Sequence, residues 1–167
     1  MQFKKQTRLM GNQFEFTLIE QNESVANELF DIAINEIKRI EALLTTFSAT
    51  SLTNEINENA GLKPVQVTEE VFQLIKRSQF ISKITQGAFD LSYGSIDKRF
   101  WNFDVTMKSL PDAETAKKSV ALINYENIIL DEDNKTVFLK NKGMRIGFGG
   151  IGKGYAAEMA KRKLIEN

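Results

Sequence analysis

Residues Gly147-Phe148-Gly149-Gly150-Ile151-Gly152-Lys153-Gly154 set five glycines within eight positions. Glycine lets main chain come close to a ligand, and where such a run leads into a helix the free N–H groups attract phosphate or another anion. Lys153 would add a positive charge at the same place. A tight turn between a strand and a helix explains one or two glycines; a run of five points to ligand contact through the backbone.

The same run nearly spells a phosphate loop, because Gly147, Gly152 and Lys153 satisfy G-x-x-x-x-G-K. Gly154, however, stands where Ser or Thr must hold magnesium, and only thirteen residues follow where that fold needs further strands. A nucleotide triphosphatase is therefore set aside. A second segment, Gly87-Ala88-Phe89-Asp90-Leu91-Ser92-Tyr93-Gly94, is followed by Phe100, Trp101 and Phe103. It could offer backbone groups, a flat apolar face and one carboxylate to a ring system, although aromatics of this kind more often face a core. A third, Phe47-Ser48 with Ser51 and Asn57 downstream, lies in a polar stretch whose plainer use is capping and turn bonding.

Other chemistry is excluded by composition. With no Cys and no His, the chain has no disulfide, thiol nucleophile, zinc site or Ser/His pair. Lys plus Arg and Asp plus Glu are 22 each, so no net field recruits nucleic acid or an anionic membrane. The first ten residues carry Lys4, Lys5 and Arg8 with no long apolar run behind them, so neither a signal peptide nor a membrane span is legible.

The elements that would position these segments follow from periodicity. Phe14, Phe16 and Leu18 alternate with polar residues, predicting a half-buried strand over 12–20 paired with 3–10 around Gly11. Ser24 is expected to cap a helix reaching Leu44, with Val25, Leu29, Ile32, Ile37, Ile40 and Leu43 inward. Residues 45–60 read as loop with a helical turn near 52–56. Thr68 is expected to cap a second helix with Val71, Phe72, Ile75, Phe80, Ile81 and Ile84 buried, stopped by a left-handed Gly87. A shorter helix over 112–122 after Pro111, a hairpin of 128–130 with 136–139, a strand at 144–148 and a helix at 155–165 complete the reading. Strands and helices in segregated runs predict an α+β fold, an antiparallel sheet packed with helices.

Taken together, the segments resemble the ApbE family of FAD:protein FMN transferases. That family shows, in order, M-G-T, then S-T-Y with D-S-E-L-S-x-x-N, then G-A-F-D-x-T-x-G-P-L with a nearby W-G-F, and finally D-L-G-G-I-A-K-G-Y. Here these read Met10-Gly11-Asn12, Thr46-Phe47, Ser51 through Asn57, Gly87 through Ile96 with Trp101-Asn102-Phe103, and Gly147 through Tyr155. The resemblance implies residues 1–167 to be the amino-terminal part of a single T-fold-like flavin transferase domain. It further implies FAD contacts at Met10, Phe47, Ala88, Phe89, Asp90 and Lys153, a backbone magnesium ligand at Gly150, and at Asn57 a choice between transferring and hydrolysing FAD. Gly147 replaces the family's aspartate at a polar FAD contact.

The expected reaction is magnesium-dependent transfer of FMN from FAD to a threonine on a partner protein, with loss of AMP. The family's remaining metal ligands would lie beyond Asn167, so this chain is expected to be inactive alone. A flavin-binding or FAD-hydrolysing protein without transfer, and a non-catalytic interaction domain, are the alternatives. Relatives of this type are usually placed at the cell envelope or periplasm, whereas the chain would be expected in the cytoplasm if it is complete as written.

Overall fold

A computed structural model describes residues 1–96 and 112–166. Phe100, Trp101, Phe103 and Pro111, singled out above, lie outside the described residues. The chain divides into two compact units, one formed by residues 1–45 with 151–167 and the other by 46–150.

In the first unit, strands β1 (Gln2–Leu9) and β2 (Asn12–Ile19) form an antiparallel hairpin in which Leu9 pairs with Asn12. The two-residue connection Met10-Gly11 has positive φ at both positions, 49° and 75°. Two such residues match the right-handed twist of the strands. Gly11 meets this need without strain, whereas Met10 holds a left-handed conformation that ordinarily costs an L-residue roughly 1–2 kcal/mol. Helix α1 (Glu23–Leu44) packs on the hairpin and on the last helix, α5 (Gly152–Glu166). Its cap is Asn22, whose side chain accepts the N–H groups of Ser24 and Val25, so the expected Ser24 cap is displaced by two residues. The buried face runs Ala26, Phe30, Ala33, Ile37, Ile40, Leu44, alternating steps of four and three. Of the residues expected inside, Ile37 and Ile40 are buried, while Val25 is exposed and Leu29, Ile32 and Leu43 are half-buried. The small alanines at 26 and 33 sit on the close-packed side, and polarity alone does not distinguish them. Helix α5 buries Gly152, Ala156 and Ala160, a row of small residues that permits close helix packing. It begins at Gly152, three residues before the sequence reading placed it.

The second unit carries helix α2 (Leu52–Glu58), helix α3 (Glu69–Ile84), the short helix α4 (Ala113–Ser119) and a three-stranded antiparallel sheet of β3 (Val65–Gln66), β4 (Ile128–Asp131) and β5 (Thr136–Leu139) in the order β3-β5-β4. The hairpin of β4 and β5 is where periodicity put it. Its turn is held by Asp131, whose carboxylate accepts the Asn134 amide, the Asn134 N–H and the Asp133 N–H. Those bonds, the Asn134 side chain first, hold its pKa below the usual aspartate value. A lowered carboxyl stabilises the fold above its unfolded pKa and loses that contribution as pH falls through the folded value. Helix α4 stops at Ser119 rather than Leu122.

The buried face of α3 is Val71, Phe72, Leu74, Ile75, Ser78 and Ser82, not the expected stripe, because Phe80 and Ile84 are each 62% exposed and Ile81 is half-buried. The two serines tolerate burial because each hydroxyl donates to a carbonyl one turn back, Ser78 to Leu74 and Ser82 to Ser78. The helix ends as expected in left-handed backbone, but at Gln86 (φ 53°) before Gly87 (φ 83°). Gly87 N–H bonds Ser82 O and Gln86 N–H bonds Lys83 O, the paired bonds of a Schellman ending with a non-glycine at its left-handed position.

Residues 144–148 form no strand. The hydrogen bonds of this segment run to side chains and a turn, as described below.

Replacing Gln86 by Gly relieves the left-handed strain without removing a packed side chain. The expected outcome is a gain on the order of 1 kcal/mol, read as a higher urea midpoint with an unchanged slope.

Candidate functional site

The second unit gathers most of the segments singled out from sequence around α2. Ser51 caps this helix by accepting the Asn54 N–H, and its buried face presents Thr53, Asn54, Ile56 and Asn57. Asn54 and Asn57 are three apart and therefore share that face. The Asn57 side chain accepts the Ile146 N–H through Oδ1 at 2.7 Å and donates to the Ile146 carbonyl through Nδ2 at 3.1 Å. Its carboxamide thus copies what a neighbouring strand would supply. Asn54 donates to the carbonyls of Thr46 and Ser48 at 3.0 and 2.7 Å and so fixes the loop bearing Phe47, whose ring is 94% exposed. Its Oδ1 accepts from the Arg145 guanidinium at 3.1 Å.

A second set of bonds holds the other side of the 144–148 segment. Ser95 Oγ accepts the Arg145 N–H and donates to the Arg145 carbonyl, and the Gly147 N–H donates to the Leu91 carbonyl at 3.1 Å. Leu91 and Ser95 belong to a 3₁₀ turn, Leu91–Ser95, that crosses the segment closely. A Cβ on Gly94 would lie 2.8 Å from the Ile146 carbonyl carbon, so only glycine fits there. Asp90 caps this turn: Oδ1 accepts from the Ser92 N–H and Ser92 Oγ, while Oδ2 accepts the Tyr125 N–H at 2.9 Å. Ser92 Oγ in turn accepts the Asn124 N–H. Asp90 therefore anchors the turn to residues 124–125 with both oxygens.

Ala88 and Phe89 lie between this turn and the end of α3. Thr85 Oγ1 accepts the Phe89 N–H at 3.1 Å and orients the residue. The half-buried Phe89 ring rests on Gly150, where a Cβ would lie 3.1 Å from a ring carbon. Gly149 and Gly150 are exposed, and Gly147 is half-buried. The arrangement is an aromatic edge beside glycine main chain that is pinned just upstream, with a solvent-facing backbone on which a ligand can rest.

Met10 and Lys153 belong to the first unit. Met10 occupies the strained hairpin turn, and Lys153 is half-buried in the first turn of α5, where helix N–H groups favour anions. An open depression of about 540 Å³ beside the hairpin is lined by Gln6, Thr7, Arg8, Gly11, Asn12 and Gln13. Its polar lining does not suit a flat apolar ring. Among the described residues no group of three or more His, Cys, Asp or Glu could hold a metal. Magnesium demands near-octahedral oxygen coordination. A backbone carbonyl such as the one expected at Gly150 would supply one ligand of the six, so the described residues do not by themselves fit the ion.

The model of the ApbE family matches residues 10–167. This chain belongs to the ApbE family. A curated relative from Klebsiella pneumoniae (strain 342), FAD:protein FMN transferase, is 37% identical over 153 residues, which cover 92% of this chain and 47% of the relative. Another of the same name from Treponema pallidum (strain Nichols) is 26% identical, over 73% of this chain and 35% of its own length. The ApbE protein of Thermotoga maritima superposes with a TM-score of 0.88 at 24% identity, covering 99% of this chain and 53% of that one. The flavin transferase ApbE of Vibrio cholerae gives 0.86 at 16% identity, with 99% and 54% coverage. The chain thus spans about half the length of the ApbE relatives it matches, and the α+β fold of antiparallel strands and helices is theirs. Among the described residues no helix is long and apolar enough to cross a membrane.

Sequence reasoning named Asn57 but missed Asn54, Ser95 and Arg145 in this ApbE chain. The one signal available was the three-residue spacing of the asparagines, legible only once the helical turn expected near 52–56 is extended through Asn57.

Replacing Asn57 by Leu orphans the Ile146 N–H and C=O in a buried place, at about 1–3 kcal/mol for each group. Asn57→Asp keeps the acceptor, but when ionised it turns a charge toward the Ile146 carbonyl; burial and that carbonyl raise the introduced carboxyl's pKa. A raised folded pKa gives stability that is present below the unfolded value and lost as pH rises. The urea midpoint of this variant, relative to wild type, is therefore expected to fall between pH 5 and pH 8.

Proposed function

We propose that this chain forms the part of an FMN transferase that cradles FAD, and that the transfer moves FMN from FAD to a threonine hydroxyl of an acceptor protein. The observation that carries the reading is the meeting of Phe89 with Gly150 on main chain held by Asn57. An aromatic edge beside exposed glycine backbone suits a molecule with flat rings at its ends and charge in its middle. The names of the relatives supply the same chemistry from outside the structure.

In this reading Phe47, Ala88 and Phe89 of the second unit contact the rings, and the Gly147–Gly150 backbone lies along the pyrophosphate; Met10 and Lys153, which belong to the first unit, are proposed as FAD contacts on family resemblance alone. Phe47 suits stacking because its ring is exposed on a loop that Asn54 fixes. Asp90 and Asn57 act by position. The bonds of Asp90 hold the turn beneath Phe89, and Asn57 sets the depth of the glycine crossing, which is how it would bear on whether threonine or water meets the phosphate.

The reaction itself is a phosphoryl-type displacement. The acceptor hydroxyl oxygen bonds to the phosphorus of the FMN half, the bridging P–O bond breaks, AMP departs with the electron pair, and the hydroxyl proton goes to solvent or to AMP. In such chemistry the protein mainly orients groups and stabilises charge. Magnesium would supply that charge neutralisation when bound, with the Gly150 carbonyl as its proposed backbone ligand; among the described residues no acidic group joins it, and no step here is assigned to the ion. Accordingly the 167 residues are proposed to bind FAD and not to complete transfer by themselves.

The test has two readouts on the purified protein. FAD at about 100 times its Kd is expected to stabilise it by about 2.7 kcal/mol, seen as a rise in Tm. Incubation with FAD, magnesium and a threonine-bearing acceptor is expected to leave the acceptor unlabelled by mass spectrometry. No FAD-dependent change in Tm at any concentration would overturn the cradle. Covalent FMN on the acceptor would overturn the claim that the described ligand set is insufficient, and release of AMP with free FMN would recast the protein as a hydrolase.

A further inference from the structure

The geometry points to Arg145 as a phosphate-recognition residue, set to take an anionic oxygen of the nucleotide that the glycine crossing accommodates; this rests on the function proposed above. Burial alternates along 144–148: Met144, Ile146 and Phe148 are buried, Arg145 is exposed and Gly147 is half-buried. Alternation with period two places Arg145 and Gly147 on one outward face, about 7 Å apart at the rise of an extended chain. Position 147 has no side chain, so the next residue on the same face of this extended segment does not shield the guanidinium.

Three observations show that this exposed cation is built into place. Both peptide groups of Arg145 are held by Ser95 Oγ at 2.8 and 2.9 Å. The next residue, Ile146, is clasped by Asn57. The guanidinium donates to Asn54 Oδ1, an amide oxygen belonging to a side chain that is itself buried and that also fixes the Phe47 loop. Two surface arginines on helices meet carboxylates instead, Arg39 with Glu36 and Arg162 with Glu158, whereas the exposed Arg77 of α3 has neither a carboxylate nor a held backbone partner of this kind among the described residues. Among the described residues Arg145 meets no carboxylate. An amide oxygen orients a guanidinium without neutralising it, which leaves the charge and the remaining N–H groups for a ligand. Arginine's planar fork matches two oxygens of a phosphate, and a side chain already held loses less freedom on binding.

The charged middle of the ligand and its rings meet different residues. Phe47 and Phe89 offer stacking and an apolar edge, which riboflavin can use as well as FAD. Arg145 offers a charge, which only the phosphorylated forms can use. Arg145 is therefore assigned to discriminate flavin nucleotides from the free vitamin, and to make their binding sensitive to salt.

The experiment compares FAD, FMN and riboflavin by fluorescence titration against wild type, Arg145→Gln and Arg145→Lys, each checked for an unchanged Tm without ligand. Arg145→Gln is expected to weaken FAD and FMN roughly tenfold or more, as loss of a charge-assisted pair implies, with riboflavin changed less than about twofold. Arg145→Lys is expected to fall between, because it keeps the charge and loses the fork. The affinity of wild type for FAD should drop on going from about 0.05 to 0.5 M salt, and that of the Gln variant should drop less. Equal FAD affinity in wild type and Arg145→Gln would overturn the assignment while leaving the FAD cradle intact. An equal loss for riboflavin would overturn it too, by showing that Arg145 serves the ring loop through Asn54. Failure of the wild type to bind FAD would sink the underlying reading instead.

Discussion

A peptide group buried away from water must find partners for its N–H and its C=O, and at Ile146 one side chain supplies both. The Asn57 carboxamide lies across the segment like the edge of an absent strand, so the chain passes from Met144 to Phe148 without a sheet. Ser95 does the same for Arg145 from the other side, and the Leu91 carbonyl takes the Gly147 N–H. A ladder would align the segment with neighbouring strands. Side-chain clasps fix it one peptide at a time, and they leave Gly149 and Gly150 facing outward. The close crossing at Gly94 and the packing of Phe89 on Gly150 both require the backbone to stay where those clasps hold it.

Helix α2 is the strut of this arrangement. It is short and buries two asparagines, a composition that would be poor for an isolated helix, since Asn competes for backbone hydrogen bonds. Here that tendency is put to use across the tertiary structure. Asn54 reaches back to the loop that follows α1, Asn57 reaches to a segment 89 residues further along, and both do so from one helical face. The aromatic loop and the glycine crossing are thereby positioned by a single rigid element, which is what a site that grips a ligand at more than one point needs.

Much of this was legible in the sequence where local physics decides. The β1–β2 hairpin, the course of α1 and α3, and the β4–β5 hairpin follow from period-two and three-and-four patterns. What was illegible depended on tertiary partners. Ser78 and Ser82 did not enter the expected buried stripe of α3, because their hydroxyls' return to the helix carbonyls leaves no mark in periodicity. Phe80 and Ile84 read as core for the converse reason. Residues 144–148 alternate as a strand would, and only the Asn57 and Ser95 bonds show why no strand forms. At the site, the glycine run and the Gly87–Gly94 segment announced themselves by composition. That Phe89 rests on Gly150 could not be read from residues sixty-one positions apart, and Arg145 carried no signal at all. The chain spans about half of the ApbE relatives' length, and among its described residues no acidic or His/Cys group could hold a metal.

The central claim is that the crossing pinned by Asn57 is where a dinucleotide touches main chain. Amide-resolved NMR during titration with FAD tests it most directly. The account predicts that the shifting amides cluster at Phe89, Gly147, Gly149 and Gly150, with Phe47 following, while the Asn57 side-chain amide stays protected from exchange. Saturable shifts confined to other surfaces, with the glycine amides unmoved, would contradict it.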